Sequence, residues 1–281
     1  MNLYIDSDSL LYRASHLVCC KDDKALAEAE ALEDDGEDIG LATQDRLDTL
    51  EGMKKIFHSM ANEIVDAVKL ERDIEEVIYV LTVKPKLSCC NGMEDNFRYN
   101  VMASVPDTNV KDYKANRAGM AVPDGLNDIY EYVFKLPNTI CVSGIEADDV
   151  CVRYGIDGHV IAALDKDVLG SLLHAYNYGR KEWVEHTAED VAKFPYLQTI
   201  MGDTSDGLRG VYRVGLKGAE KALADIDSTN QYAMWVAVLK QYYMKDQTLD
   251  EAVATMRCVR MDGWNEKDGL TMWTPPKKVA K

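Results

Sequence analysis

The stretch GIEADDVCVRYGIDGHVIAALDKD, residues 144 to 167, constrains the fold of this chain more than any other. It sets Glu146, Asp148 and Asp149 just ahead of one apolar segment, and Asp165 and Asp167 directly behind another. HVIAAL, 159–164, reads as a buried strand, because a strand covered on both faces is apolar throughout. Carboxylates at the exit of such a strand fall where parallel α/β sheets gather their functional groups. The same alternation runs along the chain. Strands are expected at 2–6, 75–83, 139–143 and 159–164, with two shorter ones around Tyr176 and Trp183. Helical spacing marks about 7–17, 43–71, 124–135, 146–154, 166–173 and 188–201, the last capped by Thr187 with Asp190. Residues 84–122 read as irregular. After about residue 200 the pattern becomes helical, with a loop-rich helical hairpin and then helices at about 229–243 and 248–258. The expected fold is α/β, a mainly parallel central sheet flanked by helices, with a core over 1–200 and a helical region over 201–281.

The acidic groups follow the strand ends. Asp6 closes the first strand. Asp165 and Asp167 are two apart, so an extended backbone points them to one side. Glu146 and Asp149 are three apart, so a helix stacks them on one face, and Asp203 and Asp206 repeat that spacing. Any one pair reads equally well as a helix-dipole partner or a turn cap. Eight carboxylates meeting in one cleft are different, because they repel one another unless cations neutralise them. Oxygen donors alone suit Mg²⁺ or Mn²⁺ rather than zinc. Two such ions about 4 Å apart are the usual apparatus for in-line attack on a phosphodiester.

Composition narrows the class. No stretch approaches the ~20 apolar residues of a membrane span, and MNLYIDSDSLLYRAS lacks the plan of a signal peptide. The seven cysteines form no CxxC pair, which fits reduced thiols in a cytoplasmic protein. A net charge of −16 argues against a generic nucleic-acid binder. More than half of it is local, however: residues 19–51 hold twelve acidic and three basic side chains, a net of −9. Residues 19–40 read as an acidic insertion.

VKDYKANR, GIEADDV, AALDKDVLG and IMGDTSDGLRGVYRVGLKGAEKAL occur in that order. Together they resemble the 5′-nuclease superfamily: phage 5′→3′ exonucleases, flap endonucleases and the 5′-nuclease domain of bacterial DNA polymerase I. The likeness covers about residues 2–225 and implies a PIN-like nuclease core followed by a helix–three-turn–helix. It implies that Asp6, Glu146, Asp148, Asp149, Asp165, Asp167, Asp203 and Asp206 surround two Mg²⁺ (or Mn²⁺) ions. Lys114 and Arg117, which share a helical face if that segment is helical, would act on the scissile phosphate. Arg13 would hold a phosphate, Tyr113 would stack on a base, and Arg209, Arg213, Lys217 and Lys221 would grip duplex backbone. The resemblance also implies K⁺ in the hairpin, against which stands Arg213, where relatives often have glycine. A second departure is the second strand, which ends LTVKPKLS without the usual acid; Asp95 is nearby but does not align.

The resulting expectation is a Mg²⁺-dependent 5′→3′ exonuclease with flap-endonuclease character. It would act on duplex DNA ends, nicks or flaps, with RNA–DNA hybrids and replication proteins as further partners, in phage replication and primer removal in the host cytoplasm. Two alternatives stand beside it: a non-catalytic DNA-binding protein on the same fold, and a PIN-type ribonuclease.

Overall fold

The computed structural model describes residues 1–19, 50–105, 113–117, 119–120 and 122–278. Its centre is a sheet of β1 (Leu3–Asp6), β2 (Val77–Leu81), β3 (Thr139–Cys141), β4 (Val160–Ala163), β5 (His174–Asn177) and β6 (Glu182–Glu185). The strand order is β3-β2-β1-β4-β5-β6, parallel throughout except for β6, which runs antiparallel to β5. The mainly parallel α/β sheet is therefore present. The chain starts in the middle and winds outward first to one side, through β2 and β3, and then to the other. The switch lies between β1 and β4, and a sheet of this kind opens its crevice beyond the carboxyl ends of those two strands.

The helices are α1 (Asp8–Cys19), α2 (Leu50–Lys69), α3 (Phe97–Ala103), α4 (Leu126–Phe134), α5 (Ala147–Ile156), α6 (Lys166–Gly170), α7 (Ala188–Met201), α8 (Leu216–Leu223), α9 (Gln231–Tyr243) and α10 (Leu249–Val259). Strand alternation divides the core between the two faces of the sheet. Leu3, Ile5, Tyr79, Leu81, Val160 and Ala162 pack with α1, α2 and α4. Tyr4, Ile78, Val80, Ile161 and Ala163 face the other layer, where α3, α5, α6 and α7 continue into α8, α9 and α10. The C-terminal helices thus share one core with the sheet, and α10 packs on both α7 and α3.

Three features differ from the sequence expectation. Residues 84–122, read as irregular, contain a 3₁₀ turn at Ser88–Cys90 and the helix α3. Asn96 caps α3 by accepting from Arg98 N at 3.0 Å, and two turns are too few for the apolar period to show in the sequence. The GDTSDGLRG segment, read as part of a helical hairpin, folds as a short β-hairpin of β7 (Gly202–Asp203) and β8 (Leu208–Arg209). Here glycine is a steric need: a Cβ on Gly210 would lie 2.2 Å from Gly202 N. A second small hairpin, β9 (Trp264–Asn265) with β10 (Gly269–Leu270), follows α10. The acidic segment expected at 19–40, beyond the backbone of Cys19, and positions 43–49 of the long helix lie outside the described residues. Among the described residues no helix is long and apolar enough to cross a membrane.

Candidate active site

The carboxylates gather at the crevice that the strand order predicts. Asp6 ends β1, 3 % exposed, and its Oδ1 is buried without a hydrogen-bond donor among the described residues. Asp165 caps α6 directly after β4, across the switch point. Glu146 and Asp148 enter from the loop and first turn after β3. Thr82, just past β2, fixes this approach: its Oγ1 accepts from Ala147 N at 2.9 Å and its carbonyl accepts from Tyr130 Oη at 2.7 Å.

The charges interact strongly. Burial, followed by repulsion from Asp8 and Asp165, pushes Asp6 up to about 8. Burial and then Asp6, Asp165 and Glu146 push Asp148 far above the ordinary carboxylate range. On the far side of Asp165, burial and the neighbours Asp165 and Asp203 raise Asp167 to about 8. Asp203 goes the opposite way, to about 2: burial opposes ionisation, but hydrogen bonds from Ser205, Asp167 and Lys166 outweigh it. The two neighbouring carboxyls thus shift in opposite directions, Asp167 up and Asp203 down. Gln198 Nε2 donates to Asp167 at 2.6 Å, and Lys166 Nζ lies 3.0 Å from Asp203 Oδ2.

The remaining acids are matched by cations. Arg98, fully buried, forks onto Asp149 with two bonds of 2.7 Å and reaches Glu146 at 3.7 Å. Lys114 Nζ donates to Glu146 and lies 3.8 Å from Asp206, while Arg117 Nη2 donates to Asp206 at 2.7 Å. Burial raises Glu146, but Lys114 and Arg98 more than reverse it, leaving the carboxylate below its ordinary range. Tyr113 Oη bridges Glu146 at 2.9 Å and Asp206 at 2.7 Å.

Several sequence expectations change in detail. Lys114 and Arg117 do not share an α-helical face: Ala115–Arg117 is a 3₁₀ turn and Lys114 precedes it at φ 57°. They converge instead through Asp206, helped by Asn116, which donates to Thr204 O and Ser205 O. Tyr113 is 2 % exposed, its ring edge-on to Tyr99, so its hydroxyl rather than its face meets the site. Asp165, the N-cap, is extended but Asp167 is not: Asp167 N donates to Asp165 Oδ1 within the first turn of α6. Glu146 and Asp149 are linked by a cap, with Glu146 N donating to Asp149. Asp95 accepts from Asn96 N ahead of α3 and is not among the acids that raise Asp6 or Asp148.

One acid was missed. Asp8, in the first turn of α1, presents both oxygens at 3.3 Å to Thr82 N and adds to the field on Asp6. Val83, the second residue past β2, is buried and apolar. The D-S-D spacing of residues 6–8 was the available signal.

Further out, Arg13 is exposed on α1, the helix on which the rings of Tyr12 and His16 stack on each other. Arg209, Arg213, Lys217 and Lys221 are all exposed along β8, the following loop and α8. Arg213 adopts φ 57°, a conformation that glycine takes without strain, and its guanidinium covers the Tyr212 ring at 5.0 Å. Among the described cysteines Cys89, Cys90, Cys141, Cys151 and Cys258 are free thiols.

Among the described residues no three acidic, histidine or cysteine side chains are already arranged as a closed metal site. The donor set nonetheless fits divalent cations. It is all oxygen, it holds a buried carboxylate oxygen with no donor among the described residues, and Asp165 raises both Asp6 and Asp148.

A doubly wound sheet with an acidic crevice and a basic hairpin beyond it is a fold that solved structures share. Bacteriophage T5 5′-exonuclease with divalent zinc bound aligns with a TM-score of 0.52 and 15 % identity over 93 % of this chain and 89 % of that one. Bacteriophage T5 flap endonuclease, in a pseudo-enzyme–product complex with DNA and metal ions, aligns at 0.52 and 16 % over 93 % and 90 %. No family model and no curated protein matches the chain by sequence. The likeness is thus one of fold, and it extends across the C-terminal helices as well as the sheet.

Proposed function

We propose that the protein is a divalent-metal-dependent 5′ nuclease that hydrolyses DNA phosphodiesters from 5′ ends, with both 5′→3′ exonuclease and flap-endonuclease character. The observation that carries this reading is the mutually repelling group Asp6, Asp148 and Asp165 at the switch point of the sheet, with one oxygen of Asp6 buried and unpartnered among the described residues. Asp6, Asp148 and Asp165, with Glu146 beside them, would hold one ion; Asp165, Asp167 and Asp203 would hold a second. Mg²⁺ or Mn²⁺ suits these donors. Ions held there would supply activation of the attacking water and would offset charge on the leaving oxygen.

The chain's own residues do the rest. Burial disfavours the charged form of Lys114, yet Glu146 and Asp206 hold its ammonium charged. It lies with Arg117 at the rim, where the two can bind phosphate oxygens and stabilise charge that grows in the transition state. Arg117, half-exposed at 50 %, exchanges Asp206 for phosphate at small cost. Arg13 orients the 5′ strand, and Arg209 and Lys217 hold duplex backbone without reading bases. Nicks, flaps and ends of duplex DNA are the proposed substrates. RNA in hybrids, primer removal in phage replication, and action in the host cytoplasm extend the same reading.

The test is release of nucleotides from a 5′-labelled nicked duplex with and without Mg²⁺, beside Asp165→Ala. Mg²⁺-dependent release that falls at least about a hundredfold in the variant is expected. Binding of duplex without cleavage would replace this reading with a non-catalytic DNA-binding protein.

A further inference from the structure

The hairpin that follows the second acidic cluster is held by a side chain from a turn more than thirty residues further along the chain. Gln247 lies in the turn between α9 and α10. Its Oε1 accepts from Tyr212 N at 2.9 Å and its Nε2 donates to Gly210 O at 3.1 Å. The amide therefore clasps the backbone on either side of Val211. Val211 is itself pinned from within, donating to Ile200 O at 2.7 Å and accepting from Val214 N at 3.1 Å.

The clasp is anchored to the core. Gln247 N donates to Tyr242 O at 3.1 Å, through a turn in which Asp246 adopts φ 56°. Tyr242 is fully buried, and its hydroxyl donates to Thr199 O at 2.9 Å. Thr199 and Ile200 are neighbours on α7, so the chain of contacts closes on itself. What it holds still is the loop that presents Tyr212 and Arg213, followed by Leu216 and Lys217, all exposed.

This arrangement does not fit the monovalent cation that the fold family implies. Such an ion needs carbonyl oxygens turned toward it. Gly210 O already accepts from the Gln247 amide and Val211 O from Val214 N, and a carbonyl so engaged has one lone pair left and is a poorer donor to a cation. The guanidinium of Arg213 adds a fixed positive charge to the same loop.

We infer that Gln247 is the positioning residue of the DNA-holding hairpin and replaces a bound cation with a neutral amide clasp. The inference rests on the proposed DNA-binding function. A pre-shaped loop binds better because ordering is not charged against the complex. Loss of one or two net hydrogen bonds corresponds to roughly three- to tenfold in affinity.

The experiment compares the full-length protein with Gln247→Ala. Binding of a nicked duplex is followed by fluorescence anisotropy in EDTA, with K⁺ replaced by Li⁺ at constant ionic strength. The parent should bind equally, within twofold, in both salts. The variant should melt like the parent, bind roughly three- to tenfold more weakly and show KM raised by the same factor with kcat unchanged. Hydrogen exchange at the Tyr212 amide should be about tenfold faster in the variant. A parent that weakens more than about fivefold in Li⁺ would overturn the inference. So would a variant with parental affinity and a protected Tyr212 amide. If the parent binds no duplex in either salt, the proposed function fails, while exchange at Tyr212 still decides whether the clasp exists.

Discussion

Replacing Arg98 with leucine tests how the site is held. The guanidinium is fully buried and makes four strong contacts: two bonds of 2.7 Å to Asp149, one of 2.6 Å to Cys258 O and one of 3.1 Å to Arg260 O. Burial disfavours its charge, but Asp149 and Glu146 more than offset that. Arg98→Leu leaves Asp149, 2 % exposed, with the amide of Glu146 as its remaining donor at 3.0 Å. Stranding one member of a buried pair costs about 3–5 kcal/mol, and an orphaned carbonyl adds about 1 kcal/mol where water cannot reach it. A net loss of about 4 kcal/mol is expected, against a typical total of about 5–15 kcal/mol. Urea denaturation in EDTA measures it. Arg98→Leu with Asp149→Leu should recover at least about 2 kcal/mol relative to the single variant, because no buried charge is then stranded. A single variant within about 1 kcal/mol of the parent, or a double variant whose loss equals the sum of the singles, would refute the reasoning.

The acidic crevice makes a prediction about pH. Because Asp6 is raised to about 8 in the folded state, its contribution to stability is full below about pH 4 and is lost as pH rises to about 8. In EDTA, Asp6→Asn should be more stable than the parent by about 2–4 kcal/mol at pH 8, with the gap closing toward pH 4; parallel profiles would count against it. Gly210→Ala forces a Cβ to within 2.2 Å of Gly202 N, so a loss of about 3 kcal/mol or more is expected by thermal melting, and a melt like the parent's would show that the hairpin is looser than described. Lys217→Ala should lower the slope of log affinity against log salt by about 1 on every duplex sequence; a sequence-dependent effect would show base contact instead of backbone contact.

Much of this was legible in the residues. The buried strands announce themselves through apolar runs such as HVIAAL, and long helices such as α2 through their period. The acids at strand ends could be placed at the crevice because a parallel sheet leaves one place for them. The partnerships were not legible. Whether Asp149 faces an ion or Arg98 depends on a contact 51 residues away in sequence, and Tyr113 reaches Asp206 across 93. Short elements escaped for another reason: α3 and the β7–β8 hairpin are set by a cap and by close glycine packing, neither of which leaves a periodic trace. Asp8 was overlooked because its partner, the Thr82 amide, is backbone.

The contacts of Arg98 to the carbonyls of Cys258 and Arg260 have a bearing on how the protein is made. A ribosome releases Arg98 and the carboxylate it grips long before it reaches α10. Until then the guanidinium lacks two of its acceptors, and the layer of core that α10 closes stays open to water. A chain broken off before residue 258 would carry every acid of the crevice and still lack the brace that sets Asp149 and Glu146. The last two acceptors of Arg98 therefore arrive only with the end of α10 and the residues just after it.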